Sequence, residues 1–413
     1  GIEQNVKFAY PAWVEGAKVG MDNMKKYMKT DESVNLMYAS KYAGTANYWK
    51  NRQGMIDALT KQGTVATKTA EEVKFDKWAN KAENKAKYGN VVLTINNFYG
   101  LTNEKARHDN YLQQLLRSSA YGVVSRSLGK QLQMYANANE NSRKQMYDGI
   151  VLMSDDFFSS QYLPAEKAIL IAELNLYAKK SVGYPISPMI AQLAQTNNND
   201  FTAYVNNAFS YSILTSPEKV KAFLDNPDAA VIANDPLMLL SNDLLNHLYD
   251  VSPLITEAQN NYAKSFRLLV EGLRVSNIGT IKYPDANSTL RLTYGKVRAL
   301  PADKRNDAGI NNYTTMDGMV KKYKKDDAEF DLPLALIDMN NKRAYGRYAD
   351  KDGSLHVNFL TDNDITGGNS GSPVLNGKGE LIGIAFDGNI EAMAGDVIFD
   401  EKLQRTINCD IRY

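Results

Sequence analysis

Hydrophobic residues recur at helical spacing through the first two thirds of the chain. Val34, Tyr38, Tyr42 and Trp49 are separated by steps of four and seven, which places them on one face of an amphipathic helix. Packing in a hydrophobic core is the simplest role for this aromatic stripe. Because similar patterns continue along the chain, we predict an α-helical domain over residues 1–287.

Pairs of residues that contain proline mark the starts of several of these helices. Ser216-Pro217 and Ser252-Pro253 each place a capping hydroxyl directly before a proline at the first helical position. Leu163-Pro164 is predicted to start another helix at Ala165. The helical pattern around Tyr111 is predicted to continue past Ser119.

The hydrophobic period changes near residue 288. The segment Leu290–Val297 alternates between apolar and other residues, which is typical of a half-buried strand. Further short strands are predicted at Arg343–Tyr345 and Leu355–Leu360. We therefore predict antiparallel β structure over residues 288–413 and an α+β fold for the chain.

The amino-acid composition argues against several classes of function. The chain carries 48 basic and 47 acidic residues, so no net charge attracts it to nucleic acid. The lone cysteine, Cys409, excludes an internal disulfide and a cysteine-based metal cluster, and the sequence suggests no cofactor or metal. Without a run of about 18 apolar residues, no membrane span is predicted.

A glycine-rich loop near the C-terminus carries the main candidate for chemistry. Gly368 and Gly371 allow a tight turn that exposes the hydroxyl of Ser370 and points backbone N–H groups at a developing oxyanion. The N–H groups of Gly368 and Ser370 are the natural oxyanion donors. The sequence around it, with strand-like runs on both sides, favours a nucleophilic serine, while a purely structural turn is the alternative.

Two segments resemble the bacterial dipeptidyl-peptidase 7 and 11 family of serine exopeptidases. Residues 357–360 read V-N-F-L, and residues 364–373 read D-I-T-G-G-N-S-G-S-P. Residues 38–51 resemble the helical domain of that family. The resemblance implies a helical capping domain followed by the β-barrel portion of a chymotrypsin-like peptidase.

The resemblance also suggests which residues recognise the substrate. Family members that cut after Asp or Glu carry Arg at the position of Gly388, whereas members that prefer apolar residues carry Gly. Asp387 and an asparagine, here Asn47 rather than Asn51, are implied to bind the free ammonium of the peptide. The alternatives are a turn glycine at 388 and a surface amide at 47.

A serine nucleophile requires a base, and the sequence offers no clear one. His108 and His247 lie in helical segments, and His356 comes only 14 residues before Ser370. None resembles the histidine motif of the family, whose catalytic His and Asp belong to an N-terminal β region. We therefore expect a fragment that lacks this region and is inactive alone.

The sequence as a whole predicts a serine dipeptidyl aminopeptidase that releases dipeptides with an apolar penultimate residue. Its partners would be oligopeptides with a free N-terminus and the N-terminal β region of the same protein, and a homodimer is left open. The resemblance implies a periplasmic or cell-surface location. The alternatives are a non-catalytic helical binding protein with a structural trypsin-like tail, and a glutamyl-type endopeptidase.

Overall fold

The computed structural model of the chain describes residues 1–279, 289–301, 312–327, 329–395 and 397–413. These residues divide into two compact units, each considered by itself below. The predicted domain boundary between residues 287 and 288 lies outside the described residues.

The first unit comprises Gly1–Ile56 and Val65–Ile281, and its described part is helical. The α-helices in chain order, including the part of α3 that reaches the second unit, are α1 (Ile2–Gln4), α2 (Tyr10–Met28), α3 (Glu32–Lys61), α4 (Thr64–Ala79), α5 (Ala82–Tyr88), α6 (Val91–Ser118), α7 (Leu128–Ala136), α8 (Glu140–Ser159), α9 (Leu163–Lys180), α10 (Pro188–Thr196), α11 (Thr202–Tyr211), α12 (Pro217–Asp225), α13 (Ala229–Ala233), α14 (Pro236–Tyr249) and α15 (Pro253–Ser276). A π-helical turn, Asn5–Ala9, joins α1 to α2, and 3-10 segments occupy Ala120–Arg126 and Ile213–Thr215.

The helix starts predicted at Ser216-Pro217 and Ser252-Pro253 are confirmed, and the helix predicted from Ala165 begins two residues earlier, at Leu163. Ser216 accepts a hydrogen bond from the backbone N–H of Lys219, and Ser252 accepts one from that of Ile255. The predicted continuation of α6 past Ser119 is wrong. Ser119 has extended backbone angles, and its side chain instead accepts from the N–H of Tyr121 to start the 3-10 segment. The hydroxyl of a serine competes with the helix for backbone N–H groups, which explains why the helix stops here.

A stripe of small residues lets α2 approach α6 and α9 closely. A Cβ added at Gly16 would lie 2.7 Å from the Cβ of Gln114, and one at Gly20 would lie 2.7 Å from the Oγ of Ser118. The carboxylate of Glu173, on α9, is buried at the same place. Larger side chains at the two glycines would therefore push these helices apart.

A second buried carboxylate, Glu166, ties three segments of the unit together. Its Oε1 accepts a hydrogen bond from the hydroxyl of Tyr38 at 2.8 Å. Its Oε2 accepts from the Ser119 hydroxyl at 2.9 Å and from the Ala120 N–H at 2.8 Å. With three donors, Glu166 is a well-satisfied buried acid that fixes α3 and the end of α6 against α9.

Replacing each of the two buried carboxylates by a neutral glutamine is expected to have opposite effects on the stability of the fold. Burial raises the pKa of Glu173 from 4.5 to about 8, and its Oε1 has no hydrogen-bond partner in the described residues. Between those two pH values the unfolded chain loses the proton and the folded chain keeps it, so the free energy of unfolding falls as the pH rises. Glu173→Gln should therefore raise the melting temperature at pH 8 more than at pH 5. The corresponding gain in the free energy of unfolding is about a few kcal/mol at most.

Glu166→Gln is the matched control in a thermal melt at both pH values. Its amide has one oxygen for three donors, so this variant should lose stability at pH 5 and at pH 8. A Glu173→Gln protein that melts below the wild type at pH 8 would contradict a neutral Glu173 in the folded state.

The second unit comprises Asp57–Thr64 and Lys282–Tyr413 and contains an antiparallel sheet. Its strands are β1 (Tyr313–Thr315), β2 (His356–Thr361), β3 (Pro373–Leu375), β4 (Leu381–Gly388) and β5 (Thr406–Asp410), in the spatial order β1-β2-β5-β4-β3. Two short helices, α16 (Met316–Val320) and α17 (Leu334–Asn341), precede β2. The predicted combination of a helical domain and antiparallel β structure is confirmed. The predicted barrel is not confirmed, because the sheet is open within the described residues, with β1 and β3 at its edges.

Two of the predicted strands do not form. Leu290–Val297 makes only an isolated bridge from Val297 to Thr361, and Leu290 is fully exposed. The segment Arg343–Tyr345 follows α17 as a turn, with Arg343 at φ +51°. An alternating pattern alone is not sufficient for a strand, since its stability depends on a paired neighbour along its length. Among the described helices of both units, none combines the length and apolar character needed to cross a bilayer.

Candidate active site

The loop that carries Ser370 connects β2 to β3 and is attached to β4. The N–H of Gly371 donates to the carbonyl of Ala385 at 2.8 Å, and the N–H of Ala385 donates to the carbonyl of Ser372 at 2.9 Å. These bonds continue the β3–β4 ladder to the residues that flank Ser370. The loop is therefore held by the sheet although its side chains are exposed.

Asn369 shapes the turn before the serine. Its Oδ1 accepts a hydrogen bond from the N–H of Thr366 at 3.1 Å, and its own N–H donates to the Thr366 carbonyl at 3.2 Å. Its carbonyl accepts from the N–H of Ser372 at 3.0 Å. This role of Asn369 was not predicted from the sequence, although asparagine side chains can hydrogen-bond backbone groups a few residues earlier in the chain.

The two glycines beside the serine adopt backbone angles that other residues resist. Gly368 has φ +108° and Gly371 has φ +86°, and a Cβ at either position would meet no atom within 4 Å. Backbone strain, rather than lack of space, therefore requires glycine at both. Among the described residues, the N–H groups of Gly368 and Ser370 donate to no protein acceptor. Both are therefore available to a ligand oxygen.

The hydroxyl of Ser370 is exposed and rests on β4. Its Oγ donates to the carbonyl of Phe386 at 3.1 Å. A β-bulge places this carbonyl, since Ala385 pairs with Asn408 while Asp387 pairs with the preceding residue, Ile407. Bulges occur next to active sites because the extra residue re-aims a strand. No pattern in the sequence predicted this bulge.

Asp387 and Gly388 follow the bulge at the end of β4. Oδ1 of the exposed Asp387 accepts a hydrogen bond from the N–H of Gly388 at 2.8 Å. The backbone of Gly388 is not in the left-handed region, but a Cβ there would lie 2.8 Å from the Cβ of Ala392. The limit on larger residues at position 388 is therefore steric contact with Ala392.

Asn47 lies in the first unit, on an exposed face of α3. Its neighbour Tyr48 is 61% exposed and makes an edge-on contact with the ring of Trp13. Asn47 and Asn51, one turn further along the helix, are both exposed residues. Their proposed roles in binding an ammonium stay predictions.

The three histidines all lie in the described residues, and each contacts residues of its own unit. His108 is buried, with its Nδ1 3.0 Å from Asp109 and its Nε2 2.8 Å from the Tyr177 hydroxyl, and this burial lowers its pKa. His247 places its Nε2 3.0 Å from the carbonyl of Pro185.

The third, His356, stacks on Tyr313 and lies 3.4 Å from an Asp350 carboxylate oxygen. It begins β2, and β5 separates β2 from β4, the strand on which the Ser370 hydroxyl rests. In the same described ranges, no group of three or more His, Cys, Asp or Glu side chains comes together to hold a metal ion.

Comparisons with known proteins give a consistent result. The family model described as Peptidase S46 matches residues 1–413. Dipeptidyl-peptidase 7 of Capnocytophaga gingivalis is 50% identical over 415 residues, which cover 100% of this chain and 57% of the relative. An Asp/Glu-specific dipeptidyl-peptidase of the same organism is 32% identical over 400 residues, with coverage of 94% and 54%.

Similarity extends to a solved structure. The crystal structure of Porphyromonas endodontalis DPP11 in complex with the dipeptide Arg-Glu matches with a TM-score of 0.87 and 26% identity, and the match covers 100% of this chain and 59% of that one. The chain thus spans a little over half the length of the proteins that it matches.

Proposed function

The chain belongs to the peptidase S46 family, and we propose that it forms the part of a serine dipeptidyl peptidase that carries the nucleophile. The loop around Ser370 is the observation that supports this most directly. An exposed hydroxyl lies in a turn fixed by Asn369, beside two backbone N–H groups without protein acceptors. This is the arrangement that acyl transfer needs, with a nucleophile and oxyanion donors held together.

In the proposed mechanism, Ser370 Oγ attacks the carbonyl carbon of the second residue of the peptide. The resulting oxyanion accepts hydrogen bonds from the N–H groups of Gly368 and Ser370. Collapse of this intermediate breaks the peptide bond while the base that took the Ser370 proton passes it to the leaving nitrogen. The shortened peptide is released as an amine, and a dipeptidyl ester stays on Ser370. Water then attacks the ester and releases the dipeptide.

The base and the carboxylate that orients it are proposed to come from outside these 413 residues. Each histidine of the chain contacts residues of its own unit, and β5 separates the strand of His356 from β4, on which the Ser370 hydroxyl rests. The relatives extend well beyond the matched region. On the family resemblance, this additional part is a β region that completes a chymotrypsin-like barrel, and the chain alone is inactive.

An apolar residue is proposed at the penultimate position of the substrate. Gly388 leaves the end of β4 without a side chain, whereas the acid-cutting members of the resembled family carry Arg there. The identity of 50% to a dipeptidyl-peptidase 7, against 32% to an Asp/Glu-specific enzyme of the same organism, supports the same preference. The family resemblance likewise suggests a periplasmic or cell-surface location.

Product analysis tests the proposed function. The full-length protein is incubated with an apolar oligopeptide and with the same peptide acetylated at its N-terminus, and the products are identified by mass spectrometry. We expect successive dipeptides from the free peptide and none from the acetylated one. Single amino acids, internal fragments or equal cleavage of both peptides would contradict a dipeptidyl peptidase.

Asp387 is proposed to bind the substrate ammonium, with Asn47 in the same role by resemblance. Asp387→Asn keeps an oxygen that can accept from the Gly388 N–H but removes the negative charge. We expect kcat/KM for substrates with a free amine to fall about ten- to a hundred-fold, because the ammonium loses its ion pair. The melting temperature should change little, and an unchanged kcat/KM would limit Asp387 to a role in the turn.

A further inference from the structure

A cleft in the helical unit has no role in the proposed reaction. Its volume is about 610 Å³, within the range of pockets that hold small molecules. One wall is the face of α6 from Phe98 to Arg117, and the other is formed where α14 ends and α15 begins. All of its lining residues belong to the first unit.

The walls of this cleft are mainly apolar. Phe98 and Leu116 contribute from α6, and Leu245, Leu248 and Ile255 contribute from α14 and α15. Binding of a ligand with an apolar body would become more favourable in proportion to the apolar surface that it buries there.

The charged side chains that line the cleft carry a net positive charge. Lys105 and Asp109 neutralise each other, since their Nζ and Oδ2 atoms lie 2.6 Å apart. Arg117 and Arg126 also line the cleft, are exposed, and form no ion pair with a carboxylate in the described part of the chain. Arg126 is held in place by stacking, with its Cζ 4.5 Å from the centre of the Tyr249 ring. Two guanidinium groups without an ion pair therefore line the same cleft as these apolar side chains.

We propose that this cleft binds an apolar carboxylate, with the carboxylate at Arg117 and Arg126 and the apolar body against α14 and α15. Guanidinium groups match carboxylates through paired N–H···O bonds, and the stacked Arg126 loses little freedom when it binds. A cationic ligand is disfavoured because the one acid of the cleft, Asp109, is already paired with Lys105. Two sources fit this chemistry, namely a fatty acid and the C-terminal carboxylate of an apolar peptide.

Calorimetry on the full-length protein tests the proposal with four probes. Decanoate represents the fatty acid, and decanol is its uncharged control. Acetyl-trileucine represents the peptide carboxylate, and its C-terminal amide is the control; acetylation removes the free amine that the proposed active site requires. We expect one of the two carboxylates to bind at least about ten-fold more tightly than its uncharged control, and which one binds identifies the source.

Three variants test whether the probes bind in this cleft. Arg117→Gln and Arg126→Gln should each weaken carboxylate binding at least about ten-fold and leave binding of the uncharged probe unchanged. Ala106→Leu fills the floor of the cleft with an apolar side chain and should weaken both members of the pair. Arg107→Gln is the matched control, because that arginine stacks on Phe8 and pairs with Glu104 outside the cleft lining.

These binding experiments can fail or succeed independently of the proposed peptidase activity. Equal binding of carboxylate and control, no binding of any probe, or full binding by both arginine variants would overturn the proposal. Melting temperatures of all variants establish that the fold is intact. Because none of these residues belongs to the Ser370 loop, hydrolysis should continue in each variant whether or not the cleft binds its ligand.

Discussion

Ser370→Ala in the full-length protein is expected to reduce kcat for dipeptidyl substrates by several orders of magnitude. The variant removes the only atom proposed to form the covalent bond, and losses of this size are usual when the nucleophile of a serine peptidase is removed. The remaining turnover would come from substrate binding and from the free N–H groups of the loop. The measurement is steady-state hydrolysis of a Leu-type dipeptidyl substrate by both proteins.

Ser372→Ala is the matched control, because this serine lies two residues further along the same loop. Its backbone, and not its side chain, makes the contacts to β4 and Asn369, so the variant should keep most of the activity. A reagent that phosphonylates nucleophilic serines adds a second measurement. We expect a mass increase on the peptide that contains Ser370 in the wild type and in Ser372→Ala, and none in Ser370→Ala. Equal losses of activity in the two variants would remove Ser370 from the role of nucleophile.

Local signals in the sequence predicted much of the helical unit. The starts of α12 and α15 were predictable because a serine cap and a proline act within one helical turn. The end of α6 at Ser118 was missed, although Ser119 is itself a capping residue. Hydrophobic periodicity identifies a helix well, but it does not locate the residue at which a cap replaces the helix.

Non-local contacts explain most of what the sequence did not predict in the second unit. The predicted strand at 290–297 has a suitable pattern but only one bridge, to Thr361. The loop of Ser370 was recognisable from its glycines, whereas the bulge at Phe386 depends on the register between β4 and β5. Register is a property of two strands, so neither strand reveals the bulge by itself.

The contact between Gly388 and Ala392 was equally hidden, and it changes how the specificity of the site can be tested. On the family resemblance, Arg at position 388 is expected in members that cut after Asp or Glu. A strained glycine there would have made such a substitution uninformative, but Gly388 has no left-handed backbone. The obstacle is the Cβ of Ala392, 2.8 Å from where a Cβ at 388 would lie. Removing that methyl group should make room for the substitution.

Gly388→Arg combined with Ala392→Gly is therefore expected to shift the preference at the penultimate residue from Leu toward Asp and Glu. The guanidinium would gain a charge-assisted pair with an acidic substrate, and it would lose hydration without compensation beside an apolar one. Both effects act in the same direction, so the ratio of kcat/KM values for Asp- and Leu-type substrates should rise roughly a hundred-fold or more. The measurement is that ratio in the wild type and the double variant.

Three further proteins separate charge from shape in this experiment. Ala392→Gly alone should keep the preference for Leu, because it only removes a methyl group beside Gly388. Gly388→Ala with Ala392→Gly introduces a Cβ without charge, and it should weaken binding of large apolar residues without favouring acidic ones. Gly388→Arg alone keeps the contact with Ala392, so it should be less stable than the double variant. A folded double variant that still prefers Leu would place position 388 outside the specificity pocket, and the proposed apolar preference would then lose its structural basis.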